Sequence, residues 1–262
     1  MNKIRGLVKR PALRYHGGKW MLAPWIISHF PEHRIYVEPY GGGASVLLRK
    51  DPSYAEVYND LDDEIVNVFK VARHDGILLQ DWLQKTPFAR TEFVGAYSKN
   101  NTNIEQARNT IVKSFMGFGS DAIRNKSGFR ANANRSGTTP AHDWKNYGDV
   151  FHFLVERLRA VVIENKDAIE IIKQHDSEKT FFYVDPPYPH STRTSGKRYG
   201  YEMSDDDHRK LADVLHNVKG KVLISTYQSD LYDQIYKGWK KYEREALADG
   251  ARKRTEILYA NY

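Results

Sequence analysis

The stretch IYVEPYGGGASVLL, residues 35–48, decides the fold because its character changes twice within a short distance. It begins as the apolar run of a buried strand, passes through three consecutive glycines, and continues from Ser45 as the start of a helix. A strand, a glycine turn and a helix in this order predict one βα unit. Repeated βα units predict an α/β protein with a mostly parallel sheet.

The segments on either side of this stretch extend the alternation. Residues 56–60 (EVYND) predict a strand that ends in an acid, and residues 62–73 carry apolar side chains at helical spacing. Further along, the sequence predicts helices at residues 168–174 and 205–218, and strands at residues 158–164, 180–184, 222–225 and 256–261. Strands that alternate with helices imply a sheet covered on both faces.

Residues 80–149 differ in composition from the rest of the chain. A helical pattern at residues 104–118 leads into residues 117–139, which are rich in Gly, Ser, Asn and Arg and have few apolar anchors. Residues 84–149 contain ten Lys or Arg against five Asp or Glu, an excess of five in a chain of net charge +7. We therefore predict a mostly helical module, residues 80–149, inserted into a sheet domain formed by residues 1–79 and 150–262.

Composition excludes several classes of protein. The chain has no cysteine, which excludes disulfides and thiolate zinc sites, and its ten histidines are scattered along the sequence, so we predict no metal. No run of about 18 apolar residues occurs, and residues 1–14 are basic without the apolar centre of a secretory signal. These features predict a cytoplasmic protein without a membrane segment.

The motif Asp185-Pro186-Pro187-Tyr188 directly follows the apolar run TFFYV, at the end of a strand where α/β proteins bind ligands. These residues suit an exocyclic amine such as N6 of adenine, which is a poor nucleophile because its lone pair is delocalised into the ring. The Asp185 carboxylate and the Pro186 carbonyl can accept its two N–H groups, and Tyr188 offers a face for a flipped base. The alternative is a rigid turn with no catalytic role.

Two further motifs fit a nucleoside cofactor. Glycines at residues 41–43 let the backbone approach a ligand, and Asp60 at the next strand end can hold ribose hydroxyls. In RYHGGKW, residues 14–20, Lys19 can meet the carboxylate of an amino-acid group. Each motif taken alone also fits a purely structural turn. The chain has no Gly-x-x-x-x-Gly-Lys-Ser/Thr pattern, which disfavours a nucleotide triphosphatase.

In this order, the motifs resemble those of the Dam-type (D12 class, α-group) DNA adenine N6-methyltransferases. The family's aromatic-x-Gly-Gly-Lys corresponds to residues 15–19, its Glu-Pro-Phe-x-Gly-x-Gly to residues 38–44, its strand-end acid to Asp60, and its Asp-Pro-Pro-Tyr to residues 185–188. Residues 252–262 also resemble the family's closing strand. Two departures from the pattern matter: Tyr15 stands where several relatives have Trp, and Ala44 aligns with the second glycine of the turn.

The resemblance implies a Rossmann-like S-adenosylmethionine-dependent methyltransferase sheet in which residues 80–149 form an inserted target-recognition domain. It also implies methyl transfer, without a metal, from S-adenosylmethionine to N6 of a flipped-out adenine in double-stranded DNA, with S-adenosylhomocysteine as product. The catalytic residues it implies are Asp185, Pro186, Pro187 and Tyr188. The cofactor-binding residues it implies are Tyr15, Gly18, Lys19, Glu38, Tyr40, Gly42, Asp60 and Asp185.

Two basic loops are predicted to bind DNA, since Arg can read guanine in the major groove and Lys suits phosphate. The first lies within the insert and carries Arg124, Lys126, Arg130 and Arg135. The second follows the catalytic motif, has tyrosines interleaved among its cations, and carries Arg193, Lys197 and Arg198. The alternative is a pair of solvated, charged loops.

Other functions stay open at this stage. An RNA adenine N6-methyltransferase would present the same amine to the same motif. Protein glutamine methyltransferases typically carry Asn where this chain has Asp185, and they lack a large basic insert. A DNA-binding relative that has lost catalysis would show altered cofactor motifs. For the enzyme we expect a monomer beside the nucleoid of a prokaryotic or phage-infected cell, with or without a partner restriction endonuclease, and a recognition site that the sequence does not specify.

Overall fold

A seven-stranded sheet organises the protein in the computed structural model, which describes residues 8–132, 137–192, 201–248 and 252–262. The strand order is β3-β2-β1-β4-β5-β7-β6. Strands β1 to β5 pair in parallel, whereas β7 runs antiparallel to both of its neighbours. The strands are β1 (Ile35–Glu38), β2 (Ala55–Asn59), β3 (Val161–Glu164), β4 (Thr180–Val184), β5 (Lys221–Tyr227), β6 (Lys240–Ala248) and β7 (Arg252–Ala260).

Helices cover both faces of this sheet, as the alternation of elements predicted. The helices of the described residues are α1 (Ala23–Ser28), α2 (Ser45–Arg49), α3 (Asp63–His74), α4 (Gly76–Lys85), α5 (Arg90–Gly95), α6 (Asn103–Met116), α7 (Pro140–Leu158), α8 (Ala168–His175), α9 (Asp205–His216) and α10 (Asp230–Ile235). Because strand side chains alternate between faces, Tyr36 and Phe181 join an apolar cluster with α3, α6 and α7. Val37 and Phe182 join a second cluster with α8, α9 and α10. The Rossmann-like α/β prediction is confirmed.

The predicted motifs lie together at one end of the sheet, where the parallel strands reach their carboxyl ends. In the middle of the sheet β1 lies between β2 and β4, so the chain leaves β1 and β4 toward opposite sides. A crevice forms at such a switch point, outside the carboxyl ends of the strands. Glu38 ends β1, Asp60 follows β2 and Asp185 follows β4, so their parallel pairing brings these three acids to the same edge.

The helices of residues 80–149 share the core of the sheet. Phe115 of α6 and Trp144 of α7 belong to the same apolar cluster as Leu47 of α2. Helix α7 runs without a break across residues 149 and 150, where the sequence placed a domain boundary. Between α6 and α7, residues 117–130 form a loop, here called the insert loop, whose ends pair through Phe118 N to Gly128 O (2.7 Å) and Arg130 N to Met116 O (2.8 Å).

Two details of the strand prediction were wrong. The strand predicted from Leu158 begins at Val161, because Leu158 continues the apolar helical spacing of α7 and is buried as its last residue. Strand β6 was missed altogether. Its sequence, KKYEREALA, lacks the apolar alternation of a strand. Among the described residues it pairs only with β7, as an edge strand of the sheet, where charged residues protect against further pairing.

A buried ion cluster links α7 to the sheet at the end of the strands opposite the crevice. Arg157 donates to both carboxylate oxygens of Glu56 (2.5 and 2.9 Å) and to the Leu47 carbonyl (2.8 Å). The Lys50 ammonium lies 2.5 Å from the same carboxylate. Burial acts to raise the pKa of Glu56, but Arg157 and Lys50 outweigh it and hold this pKa below its usual value. Arg157 and Lys50 therefore stabilise the charged form of the buried Glu56 carboxylate.

Candidate functional site

A cleft of about 470 Å³ opens at the carboxyl edge of the sheet. It is bounded by the loop before α1, the glycine turn after β1, the loop after β2, the start of α8 and the end of β4. The residues predicted to bind the cofactor come from distant parts of the sequence, and all of them line this cleft: Tyr15, Gly18, Lys19, Glu38, Tyr40, Gly42, Asp60 and Asp185.

The glycine turn is held in a conformation that few side chains tolerate. Gly42 has φ +46°, and a Cβ there would lie 3.0 Å from the Tyr15 ring. The Tyr58 hydroxyl donates to the Gly42 carbonyl at 2.7 Å. Ala44 also lies in the left-handed region, with φ 53°. This backbone geometry explains why the family pattern has glycine at that position, and this chain keeps the turn although it carries alanine there.

Asp60 is fixed beside this turn by backbone donors. Its two carboxylate oxygens accept from Gly42 N at 2.7 Å and from Asp62 N at 2.9 Å. Burial raises the pKa of Asp60 to about 6, against the opposing effect of these two N–H groups. A carboxylate held in this way keeps lone pairs with which it can accept hydrogen bonds from ligand hydroxyls.

Asp185 is oriented by two donors on one of its oxygens. The Ser225 hydroxyl donates to Asp185 Oδ1 at 2.7 Å, and Lys19 Nζ lies 3.0 Å from the same atom. Within the described ranges both of these contacts fall on Oδ1, not on Oδ2. Sequence reasoning missed Ser225. The signal for it was a hydroxyl at the end of the apolar strand β5, which pairs with β4.

Glu256 is a second residue of the site, after Ser225, that sequence reasoning missed. It lies on β7, is only 2% exposed, and accepts a hydrogen bond from the Tyr188 hydroxyl. Lys19 Nζ is 3.7 Å from its carboxylate, so one ammonium serves both Glu256 and Asp185. Burial raises the pKa of Glu256 to about 7, against the opposing charge of Lys19. Its strand register places it opposite Tyr227, at the end of the sheet where the cleft opens.

The remaining residues of the Asp-Pro-Pro-Tyr motif occupy different environments. Pro187 lines the cleft, whereas Pro186 is buried below it. Tyr188 is 3% exposed, with Lys19 Nζ 4.7 Å from its ring centroid and the Tyr227 ring packed edge-on at 4.7 Å. The ring face that we predicted for base stacking is therefore covered in this conformation. A base can reach it only if Lys19 or Tyr227 moves.

Glu38 forms part of the floor of the cleft. Its carboxylate accepts from the Tyr36 hydroxyl and from Leu47 N, both at 3.0 Å. Burial raises the pKa of Glu38 to about 8, so the acid is mostly protonated at neutral pH. These bonds tie the end of β1 to helix α2, which places Glu38 as a support of the turn as well as a residue of the cleft wall.

The three residues predicted to bind DNA that the structure describes make different contacts. Arg124 lines the cleft and forms an ion pair with Asp62, while Lys126 is exposed on the insert loop. The Arg130 guanidinium donates to the Phe115 carbonyl at 2.9 Å. Sequence reasoning did not single out Phe118, an aromatic side chain of the insert loop that is 74% exposed. Arg135, Arg193, Lys197 and Arg198 lie outside the described residues.

Two structural features bear on the predictions about metals and membranes. In the part of the chain that the structure describes, no group of three or more His, Cys, Asp or Glu side chains is arranged to hold a metal ion. Over the same residues, none of the helices combines the length and the apolar character needed to span a bilayer.

Comparison with known proteins gives a consistent result. The family described as D12 class N6 adenine-specific DNA methyltransferase matches residues 15–249. The type II methyltransferase M1.LlaDCHI of Lactococcus lactis subsp. cremoris is 26% identical over 97% of this chain and 95% of its own. The type II methyltransferase M.MjaIII of Methanocaldococcus jannaschii is 23% identical over 88% and 89%. A DNA adenine methylase of Vibrio cholerae serotype O1 is 24% identical over 88% and 86%.

Among solved structures, a SAM-dependent methyltransferase from Agrobacterium tumefaciens aligns with a TM-score of 0.40 at 9% identity. The alignment covers 92% of this chain, which spans 61% of the length of that protein.

Proposed function

Because the chain belongs to the D12 class N6 adenine-specific DNA methyltransferase family, we propose that its cleft is the site of methyl transfer to adenine N6 in DNA. One observation links this function to particular residues. Asp185 is oriented by Lys19 and Ser225 at one end of the cleft, and Asp60 is oriented by backbone donors at the other. A catalytic acid and a ribose-binding acid therefore share one continuous cleft.

The residues of the cleft fit S-adenosylmethionine. Its volume of about 470 Å³ falls within the usual range of small-molecule sites, about 300–1,000 Å³. Seven acidic side chains and four basic ones line it, which suits a ligand that carries a sulfonium cation. We assign Asp60 to the ribose hydroxyls, Lys19 to the carboxylate and Tyr15 to packing. When bound, the cofactor supplies an electrophilic methyl group.

Asp185 and Pro186 prepare the amine for attack. The Asp185 Oδ2 atom and the Pro186 carbonyl accept hydrogen bonds from the two N–H groups of the amine and draw its nitrogen toward tetrahedral geometry. As positive charge grows on nitrogen, these hydrogen bonds strengthen, because fixed acceptors in a poorly hydrated site stabilise charge without reorganising. Ser225 and Lys19 hold the other oxygen of Asp185, so the acceptor is aligned before the substrate arrives.

The insert presents side chains suited to a distorted duplex. Adenine N6 is inaccessible to a closed active site while the base is stacked, so the base must leave the helix. Proteins that distort DNA often insert an apolar wedge between base steps, and the exposed ring of Phe118 is placed on the insert loop for such a role. The exposed cation of Lys126 lies on the same loop and suits a phosphate. Within residues 80–149, we therefore assign target recognition to the insert loop.

The biological setting follows from the relatives. M1.LlaDCHI and M.MjaIII are named type II methyltransferases, so we propose that this chain protects DNA against a partner restriction endonuclease. The alternative is an enzyme without such a partner, and it is suggested by the Vibrio cholerae relatives, which are named DNA adenine methylases. We place the enzyme in the cytoplasm beside the nucleoid and expect a monomer, with S-adenosylhomocysteine as its product and no metal requirement.

The test is transfer of labelled methyl groups from S-adenosylmethionine to unmethylated genomic DNA, followed by mapping of the modified positions. The wild type should label adenine N6, and Asp185→Ala should keep the fold yet transfer little label. RNA of matched length serves as the competing substrate. Label in RNA but not in DNA, or full activity of Asp185→Ala, would contradict the assignment.

A further inference from the structure

The insert loop touches the cofactor cleft at two points. The Arg124 guanidinium forms an ion pair with the Asp62 carboxylate, and the Ser120 hydroxyl lies 3.4 Å from His16 Nδ1. His16 belongs to the loop that carries Lys19, and Asp62 lies two residues after Asp60. Both His16 and Arg124 line the cleft. The segment proposed to read DNA therefore rests on the two loops proposed to hold the cofactor.

Asp62 connects Arg124 directly to the ribose-binding acid. Its side chain is 5% exposed, and its Oδ1 caps α3 by accepting from Glu64 N at 3.1 Å. Its own backbone N–H donates to Asp60 Oδ1 at 2.9 Å. If the insert loop moved away, Asp62 Oδ2 would lose the charged partner that Arg124 provides, so the ion pair favours the present position of the loop. The position of Arg124 and the geometry around Asp60 are therefore linked.

A third segment meets the same guanidinium. Arg124 lies 5.9 Å from the centroid of the Tyr201 ring, and Tyr201 lines the cleft as well. Tyr201 belongs to the chain that leads from the catalytic motif to α9. Arg124 is thus the point where the insert, the cofactor loop after β2 and the segment after the catalytic motif come together.

We propose that the Arg124–Asp62 ion pair couples cofactor binding to DNA binding. Each ligand favours the docked position of the insert loop, in which the pair is formed, and so raises the affinity for the other ligand. The coupling is reciprocal, because both ligands act on one equilibrium. Arg124 is a positioning residue in this scheme, in place of the base-reading role that its sequence context predicted. This inference rests on the proposed function.

The experiment measures binding of S-adenosylhomocysteine by calorimetry, with free protein and with protein saturated with fragments of unmethylated genomic DNA. In the wild type, DNA should raise this affinity by about fivefold or more, the lower end of typical coupling. Arg124→Gln and Asp62→Asn should each reduce the ratio to about one. The double variant should reduce this ratio no further than either single change does, as expected when both changes remove one shared contact.

Two features make the comparison specific. Asn caps a helix about as well as Asp, so Asp62→Asn keeps α3 intact, and it removes a negative charge that would otherwise oppose DNA binding. Lys126→Gln removes one cation from the same loop, but Lys126 does not line the cleft, so it should lower DNA affinity and keep the ratio.

A wild-type ratio near one would overturn the inference. So would an unchanged ratio in Arg124→Gln and Asp62→Asn, or an equal loss in Lys126→Gln. Failure of the proposed function has a different signature, namely that wild-type protein transfers no methyl group from S-adenosylmethionine to the same DNA fragments.

Discussion

Replacing Ser225 with alanine tests how Asp185 is oriented. The change removes one hydroxyl, which donates to Asp185 Oδ1 at 2.7 Å from a fully buried position. A hydrogen bond to a charged group contributes about 1.5–3 kcal/mol. If that contribution is realised in the transition state, Ser225→Ala should lower the single-turnover rate of methyl transfer by roughly 10- to 150-fold. The affinity for S-adenosylhomocysteine should stay near that of the wild type, because Ser225 does not line the cleft.

The neighbouring residue supplies a matched control. Thr226 is equally buried on the same strand but points to the opposite face, and within the described structure its hydroxyl has no hydrogen-bond partner. Thr226→Val should therefore leave the rate unchanged and the fold at least as stable. The reasoning fails if Ser225→Ala transfers methyl groups at the wild-type rate, or if both variants slow the reaction equally.

Three further predictions concern stability and DNA. Arg157→Met removes the two hydrogen bonds that Arg157 donates to the buried Glu56 carboxylate and leaves Lys50 as its charged partner, so it should lower the free energy of unfolding by about 1.5–3 kcal/mol in urea titrations. Transfer by the folded fraction should be retained, because the cluster lies at the end of the sheet opposite the cleft. Burial raises the pKa of Glu38 from 4.5 to about 8, so the folded state keeps a proton that the unfolded chain loses, and stability should fall as pH rises through this range. Glu38→Gln should flatten that slope in urea titrations at pH 5 and pH 9, and an unchanged slope would contradict the assignment to Glu38. Phe118→Ala removes a side chain that is 74% exposed, so stability should change by less than about 0.5 kcal/mol while the fluorescence rise of 2-aminopurine at the target position is reduced. A full fluorescence rise in that variant would show that Phe118 is not the wedge.

The sequence predicted six of the seven strands and eight of the residues that line the cleft. Both depend on local signals that place residues at strand ends, such as the glycines beside Gly42 and the acid Asp60. Parallel pairing then brings strand ends to one edge, so side chains that follow β1, β2 and β4 meet without further information. The eight residues that line the cleft as predicted are all of this kind or belong to the loop that carries Lys19.

The features that the sequence did not predict depend on partners far away in the chain. Nothing local distinguishes Arg124, which pairs with Asp62 and lines the cleft, from Lys126, which does not line it. Burial of Tyr188 results from Tyr227, and the place of Glu256 depends on the antiparallel register of β7 with β5. The edge strand β6 was missed because its pattern of charged residues reflects exposure and protection against pairing, which resembles the pattern of a solvated loop.

The course of α7 has a consequence for protein engineering. A chimaera that exchanged residues 80–149 with those of a relative would cut this helix in the middle and remove Phe115 and Trp144 from the apolar cluster they share with the sheet. A graft limited to residues 117–139 would leave both flanking helices and the Arg157 cluster in place. New sequence preferences should therefore be sought by shuffling this short stretch, while the surrounding helices are treated as part of the scaffold.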